Sequence, residues 1–552
     1  MDSYYLTLTL YIFLIYWFIV LVLNRKGILQ RYNISAFGPI LMIRTRRGER
    51  LLDRLAKGEL RKRFWRTYAN IGTILVLIAM TFMFILVLLG AYATFTVQPE
   101  PTELNAPRNW LLIPGLNEFI PLCAWVGFVI ALVVHELSHA VLSTVEKVKV
   151  KSMGLLVAVV PIGAFAEPDS EQLFGEKEKG TKTRGEKELE PEPDKEAGKE
   201  EKKKVATARE RTRILSAGVT SNFFVALIAF ALFFSILFAI QPVSDKMFYV
   251  YGVAEGSPAE KLEIVEGMFI IKVDGSGVTN LEDMNKAIEE KEKVFLDVLD
   301  KKGKEREIIV ERGYESEGIR IVEVVEGFPA SNAGIKPGMT IIRMDKEKID
   351  YSEDFQNFMN HTVPGQVIEV QTKDKIFSVE LEKSPYDKIG FLGVVVANNP
   401  LGMRVEDFPA KGYLKGLQSI PSSLVSLSTS GWLWLTLLPF LPLPVGFSSF
   451  NPLLSHLYEP VGAVSFLGGG IFVIADVLFW IGWINFYVGL FNCLPAIPLD
   501  GGYVFREMLN PVLRIGIKDE RKKEKISTAI TATIAIFIAS SIAFMLAGPY
   551  LF

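Results

Sequence analysis

The stretch FIPLCAWVGFVIALVVHELSHAVL, Phe119 to Leu142, carries His135-Glu136-Leu137-Ser138-His139 inside an otherwise apolar run. A helix of about 3.6 residues per turn puts positions 135 and 139 on one face. Two imidazoles there can hold one Zn²⁺, and Glu136 lies within reach of a water beside it. Ionisable groups in hydrocarbon are costly unless they are paired, ligated or wetted. The chain has only 4 histidines, and this single turn takes two of them. The pattern implies a metal-dependent hydrolytic centre at membrane depth. The competing reading is a pair of core histidines, satisfied by hydrogen bonds in a transporter-like bundle.

Half of the 552 residues are hydrophobic, too many for one soluble domain. Lys and Arg number 60 against 62 Asp and Glu, but the charges are segregated along the chain. No nucleic-acid partner is expected. Cys123 and Cys493 both lie in apolar runs, so neither a disulfide framework nor a cysteine metal site is implied.

Charge asymmetry orients the spans. Tyr5 to Leu23 is uncharged and just long enough to cross. Arg25 and Lys26 follow it, the reverse of a cleavable signal peptide, which implies an anchor with its N-terminus outside. Residues 25–66 carry 13 Lys/Arg against 3 Asp/Glu, a strong positive-inside signal. They are expected to form an interfacial amphipathic stretch against the lipid bilayer. Ile71–Thr94 then runs out, and Phe119–Leu142 runs in with its histidines towards the cytoplasmic end. Leu215–Ile240 leads out, Val477–Asn492 leads back in from a start near Phe472, and Ser527–Ala547 is the last span. Trp432 to Val445 contains Pro439, Pro442 and Pro444, which an uninterrupted helix tolerates poorly. That stretch re-enters, lies flat, or crosses with residues 461–475 crossing back. The expectation is a polytopic α-helical membrane protein with about six transmembrane helices plus a membrane-embedded segment.

Two segments depart from this texture. Residues 175–209 are dense in Lys and Glu with almost nothing apolar, so a disordered insertion is expected, with a charged helix as the alternative. Before them, Gly154, Pro161 and Gly163 break a helix over 153–165, where a short strand or loop entering the membrane edge is expected. Residues 247–384 read as soluble and contain a repeat. Val253-Ala254-Glu255-Gly256-Ser257-Pro258-Ala259 is echoed by Val324-Val325-Glu326-Gly327-Phe328-Pro329-Ala330, and Gly267-Met268 by Gly338-Met339. The pair, 247–314 and 315–384, resembles two α+β PDZ domains of the circularly permuted bacterial and archaeal type. Such domains take peptide ends or strands by β-augmentation. Two spacer domains without a ligand are the competing reading.

A catalytic zinc takes three protein ligands and keeps one position open. The leading third ligand is Asp500, in Asn492-Cys493-Leu494-Pro495-Ala496-Ile497-Pro498-Leu499-Asp500-Gly501-Gly502 at the inner end of a span. Pro495 and Pro498 interrupt the helix there, while Gly501 and Gly502 allow close backbone packing. Asp476 competes less well because it falls nearer the outer face. His361, in the second repeat, and His456, in a loop, are expected to serve locally.

With these motifs in hand, the chain resembles the site-2 protease family (peptidase family M50), in its archaeal or bacterial form with tandem PDZ domains. The family's His-Glu-x-x-His matches residues 135–139. Its Asn-x-x-Pro-x-x-x-Leu-Asp-Gly matches Asn492, Pro495, Leu499, Asp500 and Gly501. Ala217-Gly218 with Asn222 matches a third signature, and Pro161-Ile162-Gly163-Ala164-Phe165 is similar to a membrane loop of eukaryotic members. The insertion at 175–209 has no counterpart in the common pattern.

The resemblance implies an intramembrane zinc endopeptidase making the second cut in regulated proteolysis, with single-span substrates already trimmed by a first protease. It implies His135, His139 and Asp500 as metal ligands, Glu136 as general base then acid, and Asn492 holding the substrate backbone. Asn222, Pro495 and Gly501 would support substrate or structure; for Gly218 and Asn222, helix packing is an equal reading. The PDZ-like pair, extracytoplasmic on this likeness, would either filter substrates by size or capture a peptide or substrate C-terminus. The main alternative is an inactive membrane-tethered PDZ scaffold with a structural metal.

The corresponding division of the chain is 1–94 as an N-terminal transmembrane pair, 117–241 as the first part of the catalytic core, the two repeats, and 425–549 as its second part. Cysteines placed in 95–117 or in the repeats are expected to react with an impermeant label on intact cells, and those at 180–200 to stay unlabelled.

Overall fold

The computed structural model describes every residue except 1–2, 46–47, 103–105, 111, 118, 159, 176–203, 245, 279, 301–303, 312–317, 385–387, 427, 442–446, 451–453 and 552. Most of the expected 175–209 insertion therefore lies outside the described residues. The chain forms two compact units, Met1–Phe233 with Val477–Phe552, and Phe234–Asp476.

The first unit is built on α1 (Ser3–Arg25), α2 (Glu59–Val97), α3 (Ala124–Val145), most of α4 (Ala208–Leu237) and of α5 (Gly470–Asn492), α6 (Asp500–Gly516) and α7 (Glu520–Ala547). Among the described residues, five helices are long and apolar enough to cross a membrane: α2, α3, α4, α5 and the stretch Glu520–Tyr550. The protein is a multi-pass membrane protein. The sixth expected span, Tyr5–Leu23, falls in α1, of which Phe13–Arg25 appears only as a shorter apolar helix. At 39 residues α2 is about 58 Å long, roughly twice the hydrocarbon thickness. Its first turns, with Arg61, Lys62, Arg63 and Arg66, therefore have room to stand clear of the lipid.

Small residues let the helices meet closely. A Cβ on Gly127 of α3 would strike the Trp480 backbone of α5, and one on Gly489 of α5 would strike the Phe223 ring of α4. Without a hydrophobic drive between helices in lipid, such close van der Waals contact is the main attraction.

Four strands complete the unit: β1 (Ile34–Phe37), β2 (Ile40–Thr45), β3 (Val150–Ala158) and β4 (Val160–Pro168). They pair antiparallel in the order β1-β2-β3-β4. This corrects two expectations. The basic 25–66 segment is more than an interfacial amphipathic stretch, since it supplies a hairpin that pairs with β3. Residues 153–165 are strand, as one of the two expected readings had it, but they form both arms of a hairpin over 150–168 where a single short strand was expected. The two hairpins are more than a hundred residues apart in the chain, so no local pattern announces their pairing. A sheet satisfies its backbone groups internally, which makes non-helical chain tolerable near hydrocarbon.

The ends of three helices converge on Glu146, which follows α3 directly and has a fully buried side chain. Arg66 of α2 grips it with two bonds, Nε to Oε1 at 3.1 Å and Nη2 to Oε2 at 2.9 Å. Arg213 of α4 adds Nη1 to Oε1 at 2.9 Å and reaches Asn70 of α2 through Nε at 2.9 Å. Arg211 of α4 binds Glu507 of α6 at 2.8 Å. The helices that carry the motif residues are thus tied together at one end.

The second unit holds two sheets with one plan. The first comprises β5 (Met247–Val253), β6 (Phe269–Val273), β7 (Lys293–Leu299) and β8 (Glu305–Glu311). The second comprises β9 (Ile319–Val324), β10 (Thr340–Met344), β11 (Val367–Thr372), β12 (Ile376–Glu380) and β13 (Val394–Val396). A late strand, β14 (Met403–Phe408), returns to pair with β5. The orders are β8-β7-β6-β5-β14 and β12-β11-β10-β9-β13, so the second repeat is inserted within the first. The expected bounds 247–314 and 315–384 leave out the closing strand of each.

The closing strands start from matching turns, Leu392-Gly393 and Leu401-Gly402, with both glycines at φ 81. That left-handed conformation favours glycine. Val325 N–H donates to Gly393 O at 2.9 Å, and Ala254 N–H donates to Gly402 O at 2.9 Å. These echo each other across the repeat.

The Pro-rich 432–445 stretch forms a helix only over Thr429–Leu437, continued by a 3-10 turn to Phe440. Nine residues span about 14 Å, so this helix is too short to cross. Removing the shared anion Glu146 leaves two guanidiniums without their partner. Glu146→Ala is expected to cost about 3 kcal/mol, read as a lower melting temperature in detergent. Lys204→Ala, on the exposed rim of the same cluster, should change stability by less than about 1 kcal/mol.

Candidate metal centre

Helix α3 presents His135 and His139 one turn apart, both buried. Their Nε2 atoms lie 3.2 Å from each other. Asp500, the first residue of α6, brings Oδ2 to 3.0 Å from His135 Nε2 and 3.2 Å from His139 Nε2. One ligand atom from each of the three residues falls within 4.8 Å of the others. The edge of a zinc tetrahedron with bonds of 2.0–2.1 Å is about 3.3 Å, so the donor set and its spacing fit that ion. Among the described residues this is the one cluster of its kind.

Second contacts prepare the donors. His139 Nδ1 lies 2.7 Å from Ile214 O, and an N–H there leaves the Nε2 lone pair free for a metal. His135 Nδ1 is buried without a hydrogen-bond partner among the described residues. Asp500 sits in the first turn of α6, where the helix dipole favours a carboxylate. Helix α5 stops at Asn492, and residues 493–499 turn the chain into α6. The two following glycines let α6 pack onto that turn: a Cβ on Gly501 would strike the Cys493 carbonyl, and one on Gly502 the Ala496–Ile497 backbone. Pro495 is buried within the turn.

Helix α4 closes the site from the side. A Cβ on Gly218 would lie 2.5 Å from His139 Nε2 and 2.7 Å from His135 Nε2, in the space the ligand atoms face. The Ala217-Gly218 signature thus has a concrete reason: only hydrogen fits between α4 and the imidazoles. Its companion Asn222 is fully buried, with neither polar atom partnered among the described residues. The neighbouring Ser221 is the one engaged with the motif helix. Its Oγ lies 2.6 Å from Ser138 Oγ and 2.9 Å from the Tyr68 hydroxyl. Ile214, Ser221 and Tyr68 were not legible as site residues, because a backbone carbonyl and two hydroxyls in apolar helices carry no motif.

Glu136 points to β4, where Ala166 N–H donates to its Oε2 at 2.7 Å. Since β4 is the last strand of its sheet among the described residues, this places the carboxylate against the sheet's edge. Asn492 is part-exposed, and no partner of its carboxamide occurs among the described residues. Asp476, the weaker candidate ligand, lies in the second unit, where it accepts Ser449 Oγ at 2.7 Å and Phe450 N–H at 2.6 Å. His361 Nδ1 lies 2.7 Å from Asn357 O, a local contact in the second repeat.

The model of peptidase family M50 matches residues 123–538, three quarters of the chain. The chain belongs to peptidase family M50. No curated protein matches it. M50 members are zinc metalloproteases, which agrees with the His-His-Asp donor set. The match begins at the head of α3, so α1, α2 and the β1–β2 hairpin lie outside it.

Metal analysis of the purified M50 peptidase is expected to find about one zinc per chain. His135→Ala and Asp500→Ala should lose it. Gly218→Ala should weaken zinc about tenfold or more while keeping the helix, since alanine is the better helix former and the damage is steric.

Proposed function

We propose that this protein is an intramembrane zinc endopeptidase that cuts transmembrane segments of single-span proteins, as the second cut after another protease has trimmed them. One observation carries the reading: two histidines and an aspartate converge at ligand spacing among membrane helices, with Glu136 beside them against a free sheet edge. A structural metal site would have no use for a carboxylate held at such an edge.

His135, His139 and Asp500 would hold the ion. Zinc, when bound, supplies Lewis acidity and lowers the pKa of water. Glu136 takes the proton of the attacking water and later delivers it to the leaving amine. A substrate helix must unwind to be cut, and its bared N–H and C=O groups need partners in a medium without water. The unpaired edge of β4 offers a backbone ladder next to Glu136, and the β1–β2 hairpin already covers the opposite edge of the β3–β4 pair. The substrate strand therefore adds on the catalytic side. Asn492, at the end of α5, is free to hold one more substrate backbone group. Asn222 contributes to packing beside the ligands.

The active site lies towards the cytoplasmic side, with the PDZ-like repeats and the N-terminus outside, on the strength of the charge asymmetry of the loops. The repeats are inserted in sequence between α4 and α5, at the ends that this topology puts outside.

Glu136→Gln is expected to retain zinc and lower cleavage of a trimmed single-span substrate by about a hundredfold or more in detergent. Cleavage at the wild-type rate by that variant would remove Glu136 from the chemistry. Zinc lost from it would mean that the residue is structural.

A further inference from the structure

An imidazole that gives its Nε2 lone pair to a metal carries its proton on Nδ1, and that N–H needs an acceptor. In metal sites the acceptor is almost always present, and it fixes the ring. His139 has one in the Ile214 carbonyl, 2.7 Å from Nδ1. His135 is only 8 % exposed, and its Nδ1 has no partner among the described residues.

Helix α4 shows where the missing acceptor stands. Residues 214, 218 and 222 follow one another at successive turns on one face of that helix. The first gives its carbonyl to His139. The second comes up against both rings: a Cβ on Gly218 would lie 2.6 Å from His135 Cε1, the ring carbon between the two nitrogens. Ser221 Oγ lies 2.6 Å from Ser138 Oγ, so α4 still faces α3 one turn further on. Each turn along α4 therefore steps from His139 towards His135. The third brings Asn222 to the Nδ1 side of His135.

The other polar side chains on that stretch of α4 are already engaged. Ser216 Oγ lies 2.9 Å from Thr73 Oγ1, and Thr220 Oγ1 donates to Ser216 O at 2.6 Å. Ser221 binds Ser138 and Tyr68. Asn222 is 0 % exposed, with Oδ1 and Nδ2 both unpartnered among the described residues. An unsatisfied carboxamide among apolar helices is costly, and a leucine would fill the same space without that cost. Two orphaned groups of complementary kind, a ring donor and an amide acceptor, thus stand on the facing sides of two packed helices.

We propose that Asn222 is the positioning residue of His135. With the metal bound, Asn222 Oδ1 accepts the His135 Nδ1–H, fixing the tautomer and aim of that ring as the Ile214 carbonyl does for His139. Helix α4 then serves the centre at three successive turns, by a carbonyl, by the bare Cα of Gly218 and by a carboxamide. The inference rests on the metal reading of the site and not on proteolysis.

The test is metal binding by the full chain in detergent, read by competition with a chromogenic chelator and by the visible spectrum of the cobalt-substituted site. Asn222→Leu keeps the volume and removes the acceptor. Its zinc dissociation constant should rise about tenfold or more, and its cobalt bands should shift. Its metal-free melting should stay or rise, because an unsatisfied polar group has gone. Asn222→Asp keeps an acceptor of the same shape and should hold zinc about as tightly as the parent, with the parent's cobalt bands. A side chain that only packs gives other results: zinc held by Asn222→Leu as by the parent, or zinc and metal-free melting lost together in both variants. Either overturns the proposal. If Asn222→Leu melts early, Asn222→Asp decides, and weak zinc with normal melting in that variant overturns the proposal too. A parent without zinc overturns it together with the metal centre. Cleavage is not read, so the proteolytic reading stands or falls separately.

Discussion

Two imidazoles and a carboxylate held about 3 Å apart inside a bundle of apolar helices set the terms for the rest of the first unit. Such a cluster is tolerable in hydrocarbon only as a ligand set or a tightly bonded group. Bringing it together takes three separate helices, since α3 gives two donors, α6 one, and α4 must come close enough to seal the side. Gly218 is the residue that permits that approach, and Gly501 and Gly502 do the same for α6. The ion-pair cluster on Glu146, together with Arg211–Glu507, ties the same three helices and α2. Close approach in the middle and charge pairing at the end together hold the donors in place.

On the proposed function, the four-stranded sheet solves a second problem. A protease of membrane helices has to hold a chain that has lost its own hydrogen bonds, where water offers none. A sheet with one covered edge and one open edge gives such a chain a single place to pair. The open edge is the one touching Glu136. On the proposed mechanism Glu136, the base, is held by the strand that would receive the substrate, so positioning and chemistry share a contact.

The repeats share one plan. Gly393 and Gly402 adopt the same left-handed turn before the two closing strands. The nesting of one repeat in the other places Asn398 in the short link between those strands, where its carboxamide bonds Val405 of the first.

Local chemistry was enough to determine much of this protein. Periodicity and charge asymmetry marked the spans, and His135, His139 and Asp500 stood out because ionisable groups are conspicuous in apolar sequence. The Val-x-Glu-Gly-x-Pro-Ala echo revealed the repeat for the same reason: it is written in consecutive residues. What the sequence did not disclose depends on pairing over long separations. The β1–β2 hairpin looked like a basic surface stretch because its partner strand lies beyond three helices. The closing strands β13 and β14 escaped the repeat boundaries because strands of three and six residues declare no partner. Ser221 and the Ile214 carbonyl became site features only when α4 packed on α3. Asn398 reads as an ordinary link residue until tertiary structure lays its amide along Val405. Sequence determines which groups need partners; only the packed chain decides which partner each one finds.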